Sequence, residues 1–322
     1  MHLPLPVRDR RAALVNVARE TNAVLPGILH HLPHLNATRS EKLTFAQLPA
    51  LDPDRCPAFT LPSNSAACGT PVKVINEDTL DAAIMMADCL TVPQVMQVAA
   101  GTMPAAAPQP NQRVVALNLA SDKNPGGGWL SGASAQEEAI CYRSSLAMSL
   151  PKSYYPWTPT EAVYTPDVVV IRSSMGSGHA LLTARTPPAQ LLVVSVISVA
   201  AIRRPETCQP SAARRRAPRR DTAVFKRPAD RDLTKQNMRA VLRLAARERH
   251  ERLVLGAMGC GAFKNPPRDV ASCWAEVLSE DEFSGGWWRE IWFAVFDRRN
   301  EGNFEIFDHV LGGKVFGEKA KV

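Results

Sequence analysis

The feature that most constrains this chain is a short segment that joins a buried strand, a loop of three consecutive glycines and an acidic helix. Residues 114–150 read VVALNLASDKNPGGGWLSGASAQEEAICYRSSLAMSL. The loop glycines are Gly126, Gly127 and Gly128. Without a Cβ, their backbone N–H groups can approach a ligand closely and adopt positive φ angles without strain. Glu137 and Glu138 follow at the start of the helix, so the segment predicts a site that binds a bulky charged ligand and acts on it.

Length and composition indicate a folded protein without a membrane span. The chain has 322 residues with 45% hydrophobic content, which suits one large domain or two small ones. Apolar runs such as 191–202 fall short of the roughly 18 residues that a membrane span requires. The N-terminus lacks an apolar signal core, and seven cysteines without a C-x-x-C pair fit reduced thiols. We therefore expect an intracellular protein, cytoplasmic or nuclear, without disulfides or a metal site.

The apolar pattern predicts alternating strands and helices. Short, unbroken apolar runs are typical of strands buried on both faces, and they lie at 72–76, 114–119, 168–172, 191–199, 253–258 and 291–296. Helical patterns lie at 8–21, 80–89, 136–150, 235–249 and 267–278. This alternation predicts an α/β fold, a three-layer α/β/α sandwich around a mostly parallel sheet, with an N-terminal helical extension. Ligands of such folds bind beyond the carboxyl ends of the strands.

A second glycine-rich loop, residues 257–264, should lie at the same edge of the sheet as the first. Its spacing, set by Gly256, Gly259 and Gly261, is neither a Walker A motif nor the dinucleotide-binding G-x-G-x-x-G. Asn265 is a plausible N-cap and Pro266 a plausible first helical residue, which would offer free N–H donors to a diphosphate. A tight turn used only for packing is the alternative.

The two carboxylates of the first segment have competing interpretations. Ser134 and Glu137 fit the S-x-x-E pattern of a capping box, which would make Glu137 partly structural. Glu138 has no capping duty in this reading, so we predict that it is the general acid and base. That role needs a pKa raised by burial or by a neighbouring anion, against the lowering effect of a helix N-terminus. An acidic first turn that only complements the helix dipole is the alternative.

The arrangement of the glycines followed by Gln136-Glu137-Glu138 resembles the microbial-type poly(ADP-ribose) glycohydrolases. Four other segments resemble that family in its order: VKVINEDTLDAA (72–83), VYTPDVVVIR (163–172), LVLGAMGCGAF (253–263) and IWFAVFD (291–297). The resemblance implies a macrodomain fold, an ADP-ribose site and hydrolysis of ribose-linked O-glycosidic bonds without a metal or other cofactor. It also places the catalytic acid at Glu138 and gives Glu137 a contact to ribose hydroxyls.

The resemblance and the residue types together give a set of expected contacts. Glu77 or Asp78 would read adenine, although Asp78 is also a plausible cap of the helix that begins at Thr79. Phe296 would stack on adenine or lie in the core, and Phe263 is the competing aromatic. Cys260 is read as a small residue of the loop rather than a nucleophile. The expected substrate contacts are Asn118, Gly126, Gly127, Gly128, Gln136, Glu77, Asp78, Gly256, Gly259, Cys260, Gly261, Ala262, Phe263 and Phe296.

The net charge of +7 is concentrated in a stretch rich in arginine and proline, residues 203–231. We interpret it as a mobile insertion, either simply solvated or able to contact a polyanion or serve as a nuclear import signal. The arginines of the polyanion hypothesis are Arg214, Arg215, Arg216, Arg219 and Arg220. The domain boundaries follow as an extension at 1–70, a catalytic domain at 71–312 that contains the insertion, and a tail at 313–322.

The sequence therefore predicts a monomeric poly(ADP-ribose) glycohydrolase that acts on poly(ADP-ribose) or ADP-ribosylated proteins and releases ADP-ribose. Two rivals use the same pocket: a non-catalytic ADP-ribose-binding macrodomain, and a mono-ADP-ribosyl-protein hydrolase. A nucleic-acid-binding protein that acts through the basic insertion is a third class, and its binding would weaken steeply with salt.

Overall fold

The computed structural model describes residues 7–86, 113–210 and 222–320. Nine strands in these residues form one sheet: β1 (Glu41–Thr44), β2 (Thr60–Leu61), β3 (Asn64–Ile75), β4 (Val114–Leu119), β5 (Glu161–Val170), β6 (Leu192–Val199), β9 (Arg252–Leu255), β10 (Glu290–Ala294) and β11 (Val315–Ala320). β7 (Thr207–Cys208) and β8 (Val224–Phe225) form a separate pair. The α-helices are α1 (Val7–His30), α2 (Thr79–Met85), α3 (Gln136–Arg143), α4 (Pro228–Arg247), α5 (Pro267–Leu278) and α6 (Asn303–Leu311).

The centre of the sheet is parallel and its edges are antiparallel. The strand order is β1-β5-β6-β4-β9-β10-β3-β11, with β2 paired to β3. β6, β4, β9, β10 and β3 run in one direction. β1, β5 and β11 pair antiparallel at the two ends. The carboxyl ends of the five central strands therefore meet at one edge, where the loops that follow them gather.

Helices cover both faces of the sheet, which confirms the predicted three-layer sandwich. Alternate residues of each strand point to opposite faces, and those of β4 divide accordingly. Val114 and Ala116 pack with buried side chains of α1, α2 and α3, such as Ile140. Val115 and Leu117 pack with buried side chains of α4, α5 and α6, such as Trp274. Continuous apolar runs were the signal for this arrangement, because both faces of the central strands are buried.

The structure differs from the predicted segment boundaries at both ends of the chain. The boundary between residues 70 and 71 falls inside β3, and β1 of the expected N-terminal extension pairs with β5 in the main sheet. The segment expected as a tail forms β11, which pairs antiparallel with β3. Pairing with β11 supplies backbone partners to a strand that would otherwise lie at the open edge.

Several elements begin or end away from the predicted residues. Helix α3 ends at Arg143 rather than at residue 150, because Ser144 is extended and forms a bridge to Val170 of β5. Helix α2 ends at Met85, and the rest of the predicted 80–89 helix beyond residue 86 lies outside the described residues. None of the helices in the described part of the chain is long and apolar enough to span a membrane.

Residues 203–210 and 222–231 of the basic stretch belong to the described part of the chain. β7 and β8 pair within it, and α4 begins at Pro228, earlier than the predicted residue 235. The five arginines of the polyanion hypothesis, residues 214–216, 219 and 220, lie outside the described residues.

Candidate functional site

The triple-glycine loop, residues 120–128, closes around the carboxylate of Glu138. The Gly128 N–H donates to Glu138 Oε1 at 2.8 Å, and the Ala135 N–H donates to Oε2 at 3.0 Å. The side chain is only 8% exposed. Gly126 and Gly127 have φ angles of 68° and 61°, which disfavour any residue with a Cβ. The loop thus positions Glu138 through backbone donors.

The position of Gly127 also requires glycine for a second reason. A Cβ at this residue would lie 2.5 Å from Glu138 Oε1 and 2.9 Å from Glu137 Oε2. Both carboxylates therefore lie directly under the loop at this point.

The predicted capping scheme is wrong by one residue. The N-cap of α3 is Ala135, which has no side-chain oxygen, and Ser134 is exposed. The third helical residue is consequently Glu138, whose Oε2 accepts the N-cap N–H in half of a capping box. Glu138 therefore makes the capping contact that the sequence pattern assigned to Glu137.

The predicted ligand donors of this loop are also already engaged. The Gly127 N–H donates to the Asn124 carbonyl at 3.0 Å, and the Gly128 N–H donates to Glu138. These two glycines were expected to contact the substrate. Instead they stabilise the loop and the carboxylate beneath it.

Glu137 is the more enclosed of the two carboxylates, at 3% exposure. Burial raises its pKa to about 8, and the charge of Glu138 adds to the rise against hydrogen bonds from Ser121 and Asn118. The Ser121 N–H donates to Oε2 at 2.7 Å, and Asn118 Nδ2 donates to Oε1 at 3.4 Å. Burial and a neighbouring negative charge both favour the protonated form of a carboxyl group, so the surroundings of Glu137 favour its neutral form.

Asn118 and Gln136 lie beneath the site rather than in its cavity. Asn118 is fully buried and also donates to Ser198 Oγ at 3.0 Å, so it orients Glu137. The Gln136 amide donates to the Leu117 carbonyl at 2.6 Å and accepts the Leu119 N–H at 2.8 Å. It therefore fastens the start of α3 to the end of β4. Both residues were predicted as substrate contacts, and their observed contacts are to the protein.

Tyr155 is a neighbour of the carboxylates whose position the sequence did not reveal. Its hydroxyl is buried and has no hydrogen-bond partner among the described residues. Burial raises its pKa, and the nearby charge of Glu137 contributes to the rise. Tyr154, the adjacent residue, instead donates its hydroxyl to the Ser40 carbonyl at 3.1 Å. Which of the two adjacent tyrosines lies near the carboxylates depends on the fold rather than on a local sequence pattern.

The second glycine-rich loop is held by Asn265, in a role other than the predicted N-cap. Helix α5 begins at Pro267 with Pro266 as its N-cap. Asn265 Nδ2 donates to the Ile202 carbonyl at 2.7 Å and to the Gly259 carbonyl at 3.2 Å. Because Asn265 is drawn into these tertiary hydrogen bonds, it cannot cap the helix. Gly259 has a φ of 71°, and a Cβ there would lie 2.3 Å from Asn265 Nδ2.

The tip of this loop is open. Gly261 and Ala262 are exposed, and Phe263 is half-buried. In the described part of the chain, the N–H groups of these three residues donate to no protein acceptor. Gly256 and Cys260 are buried below the tip, and the Cys260 thiol lies 3.6 Å from the Met258 carbonyl oxygen. The loop thus presents unused donors at the carboxyl edge of the sheet.

The predicted adenine residues lie at the other end of this edge, after β3 and β10. Asp78 caps α2 by accepting the Leu80 N–H at 2.9 Å, and it forms an ion pair with Arg143. Burial raises the pKa of Asp78, and Arg143 opposes the rise. Glu77 is exposed.

Phe296 lies past the end of β10 and is 50% exposed, so the core interpretation of this residue is wrong. The Arg298 guanidinium lies 5.7 Å from its ring centroid.

The strand order therefore determines the order in which the candidate site residues lie along the edge of the sheet. Moving along β4, β9, β10 and β3, one meets the two carboxylates, the open glycine loop, Phe296 and finally Glu77 with Asp78. Among the described residues, no group of three or more His, Cys, Asp and Glu side chains is placed to hold a metal ion.

Comparisons with known proteins found similarity to one enzyme family. The family model described as microbial-type PARG, catalytic domain, matches residues 30–173. No curated protein matches the chain. The chain is similar to the crystal structure of poly(ADP-ribose) glycohydrolase from Thermomonospora curvata, with 25% identity, a TM-score of 0.65, and coverage of 93% of this chain and 100% of that one. The same enzyme bound to the inhibitor ADP-HPD matches with 25% identity, a TM-score of 0.63, and coverage of 94% and 99%.

A second organism gives the same result. Poly(ADP-ribose) glycohydrolase from Deinococcus radiodurans in complex with ADP-ribose matches with 27% identity, a TM-score of 0.56, and coverage of 87% of this chain and 98% of that one. The resemblance that the sequence motifs indicated is thereby confirmed.

Proposed function

We propose that this protein is a poly(ADP-ribose) glycohydrolase that cleaves ribose-linked O-glycosidic bonds and releases ADP-ribose, with Glu138 as general acid and base. The observation that carries the proposal is the pair of buried carboxylates under a glycine loop, beside a second glycine loop with unused N–H donors. The matching solved structures include complexes with ADP-ribose and with ADP-HPD. The carboxylates and the anion-binding amides thus follow adjacent strands, β4 and β9. This arrangement suits a substrate that carries both a glycosidic bond and a diphosphate.

The order of the site matches the order of groups in ADP-ribose. The ribose with the scissile bond would lie at Glu137 and Glu138 after β4. The diphosphate would accept hydrogen bonds from the amides of Gly261 and Ala262 after β9. Adenine would stack on the exposed ring of Phe296 after β10, near Glu77. Phe263, at the edge of the second loop, would pack against a ribose.

The proposed chemistry needs one proton on the carboxyl pair. In the proposed reaction, Glu138 donates a proton to the departing ribose oxygen as the bond to the anomeric carbon breaks. An oxocarbenium-like centre develops at that carbon, water attacks it, and Glu138 accepts the proton of the water. Glu137 would hold the ribose hydroxyls, and the negative diphosphate would help to keep the proton on the pair. This scheme needs one acid/base group instead of the usual two-carboxylate plan.

The direct test is release of ADP-ribose from labelled poly(ADP-ribose) by the parent protein and by a Glu138→Ala variant. We expect release by the parent and loss by a factor of about 10²–10⁴ in the variant, which is the typical contribution of general acid–base catalysis. Glu305→Ala is the matched control, because Glu305 is also a first-turn glutamate, in α6, but is exposed. Its activity should equal that of the parent.

Other outcomes select among the rivals. A parent protein that binds ADP-ribose but releases none from the polymer would be either a non-catalytic ADP-ribose-binding protein or a mono-ADP-ribosyl-protein hydrolase. Incubation with a mono-ADP-ribosylated protein separates these two outcomes. Equal loss in both variants would mean that the first-turn charge matters only for the helix dipole.

A further inference from the structure

The two backbone donors of the Glu138 carboxylate flank a short turn, residues 129–133, which we call the linking turn. Gly128, immediately before the turn, donates to Oε1, and Ala135, shortly after it, donates to Oε2. The turn is closed by a backbone hydrogen bond from the Ala133 N–H to the Gly128 carbonyl at 3.1 Å. The position of the carboxylate therefore depends on the conformation of this turn.

The hydroxyl of Tyr142 holds the two ends of the linking turn together. Tyr142 lies four residues after Glu138 in α3, so the two side chains are neighbours on one face of the helix. The Tyr142 hydroxyl oxygen lies 2.8 Å from the Trp129 carbonyl oxygen and 2.8 Å from the Ala133 carbonyl oxygen, so one phenolic proton is shared between two acceptors. These carbonyls belong to the first and last residues of the turn. A single hydroxyl thus restrains the distance between its ends.

The Tyr142 side chain is fully buried, so it acts from within the protein rather than on a ligand. Burial raises the pKa of its hydroxyl, and the charge of Glu138 adds to the rise, so the group keeps its proton at neutral pH. The Tyr142 ring packs edge-to-face with the ring of Trp129, with centroids 6.1 Å apart. The Trp129 ring in turn lies against Gly126, where an added Cβ would be 2.8 Å from Trp129 Cδ1. The contacts of Tyr142 therefore extend from the linking turn to the triple-glycine loop.

Helix α1 holds the exposed side of the same turn. Arg11 Nε donates to the Ser131 carbonyl at 2.7 Å. Gly132 has a φ of 79°, and a Cβ there would lie 2.4 Å from the Arg11 carbonyl oxygen. Because the Arg11 side chain is exposed, it can be changed without disturbing the core. It offers a second way to loosen the turn.

We propose that Tyr142 is a positioning residue for Glu138, because its hydroxyl fixes the linking turn that lies between the two amide donors of this carboxylate. This inference rests on the proposed function, in which Glu138 is the general acid and base. Loss of the hydroxyl leaves the two turn carbonyls without their common donor, and the turn gains freedom. The Glu138 carboxyl group then moves away from the scissile bond for part of the time. Turnover falls, while the groups that bind ADP-ribose are unchanged.

The first test compares Tyr142→Phe with the parent in hydrolysis of labelled poly(ADP-ribose) and in binding of ADP-ribose. We expect kcat to fall on the order of tenfold, since misplacement of a catalytic group by 1 Å costs about 10²-fold and the retained ring limits the shift. The Kd for ADP-ribose should stay at the parental value.

Tyr164→Phe is the matched control. Tyr164 is also buried, and its hydroxyl lies 2.9 Å from Nε2 of His250, which precedes β9 at the amino edge of the sheet. The two variants each lose one hydroxyl with a buried hydrogen bond, so both should lower the melting temperature. Only Tyr142→Phe should lower kcat.

A double-mutant cycle separates the positioning of Glu138 from any other effect of Tyr142. In a Glu138→Gln background, Tyr142→Phe should cause no further loss of turnover, because the group that it positions has already been removed. A role that does not act through Glu138 would instead lower turnover by the same factor in both backgrounds.

Arg11→Gln loosens the linking turn without a change in the core, and it should lower kcat by a smaller factor than Tyr142→Phe. Arg19→Gln is its control, because Arg19 is also exposed in α1 but donates to Asn16 Oδ1 of the same helix at 3.4 Å. Should Tyr142→Phe fail to fold, Arg11→Gln still tests whether the turn positions Glu138, and a parental kcat would contradict the proposal.

An unchanged kcat in Tyr142→Phe, an equal fall in Tyr164→Phe, or a full additional loss in the Glu138→Gln background would overturn the proposal. If the parent releases no ADP-ribose, the proposed function fails separately, and amide hydrogen exchange then tests the positioning role. Peptides that contain Gly128 and Ala135 should exchange faster in Tyr142→Phe than in the parent or in Tyr164→Phe. Equal exchange in all three proteins would exclude the role.

Discussion

The two glycine-rich loops of this protein use glycine for opposite purposes. In the first loop, Gly127 makes room for two carboxylates, and the Gly128 N–H donates to Glu138 at 2.8 Å. In the second loop, the N–H groups at Gly261 and Ala262 donate to no acceptor in the described chain. The first loop is closed on the protein's own anions, and the second is open to an external one. A run of glycines therefore predicts close approach of an anion, but it does not show whether that anion is a side chain of the protein or a ligand.

The largest expected effect comes from filling the closed loop. Gly127→Ala would force a Cβ to within 2.5 Å of Glu138 Oε1 at a φ of 61°. Displacement of the carboxylates should lower kcat/KM by at least about 10²-fold, because misplacement of a catalytic group by 1 Å has that effect. Gly27→Ala, in α1 with no atom within 4 Å of the added Cβ, is the control. It should retain full activity, and near-parental activity of Gly127→Ala would contradict the closed-loop account.

The raised pKa of Glu137, to about 8, predicts a pH dependence of stability. The folded state binds a proton that the unfolded state releases between pH 4.5 and about 8. This stabilisation is fully present below pH 4.5 and is lost as the pH rises through about 8, at roughly 1.4 kcal/mol per pH unit at most.

The measurement is urea unfolding of the parent and Glu137→Gln at pH 5 and pH 8.5. Since Gln cannot ionise, the parent should lose more unfolding free energy than the variant between the two values. Parallel pH dependences would show that Glu137 titrates normally.

Loosening the open loop should affect binding more than chemistry. Asn265→Ala removes the hydrogen bonds to Ile202 and Gly259 that shape the second loop. We expect the Kd for ADP-ribose, measured by calorimetry, to rise about tenfold, since charge-assisted hydrogen bonds contribute ~1.5–3 kcal/mol when well placed. Asn64→Ala, at an exposed residue of β3, should leave the Kd unchanged.

The smallest effect separates the adjacent tyrosines. Tyr154→Phe removes a hydrogen bond to the Ser40 carbonyl and should lower the unfolding free energy by about 1 kcal/mol. Tyr155→Phe removes a buried hydroxyl without a partner among the described residues, so the unfolding free energy should stay equal or rise. The reverse order of stabilities would mean that the Tyr155 hydroxyl has a partner, such as a bound water.

The fold was predictable because its signals are local. Unbroken apolar runs mark central strands such as β4 and β6, and their alternation with helices defines the layers. The position of both glycine loops at one edge follows from parallel strands alone. The pairing of β11 with β3 was not predictable, because Val315–Ala320 reads as a polar tail without its partner.

The details of the site depend on contacts between distant residues. The N-cap of α3 is Ala135 rather than Ser134, and Glu138 accepts a hydrogen bond from the Gly128 N–H. No local sequence pattern predicts this hydrogen bond. Asn265 is a residue type that often caps helices, and it precedes a proline. Its side-chain amide instead donates to the carbonyls of Ile202 and Gly259. Burial raises the pKa of Glu137, and burial is a property of the whole fold.

The most direct test of this division compares Glu138→Gln with Gly259→Ala in the same two assays, hydrolysis of poly(ADP-ribose) and binding of ADP-ribose. Our account predicts that Glu138→Gln loses kcat and keeps the parental Kd. Gly259→Ala, whose Cβ would lie 2.3 Å from Asn265 Nδ2, should weaken binding and retain kcat at saturating substrate. If both variants instead lost binding and turnover together, the two loops would not have separate roles and the account would be contradicted.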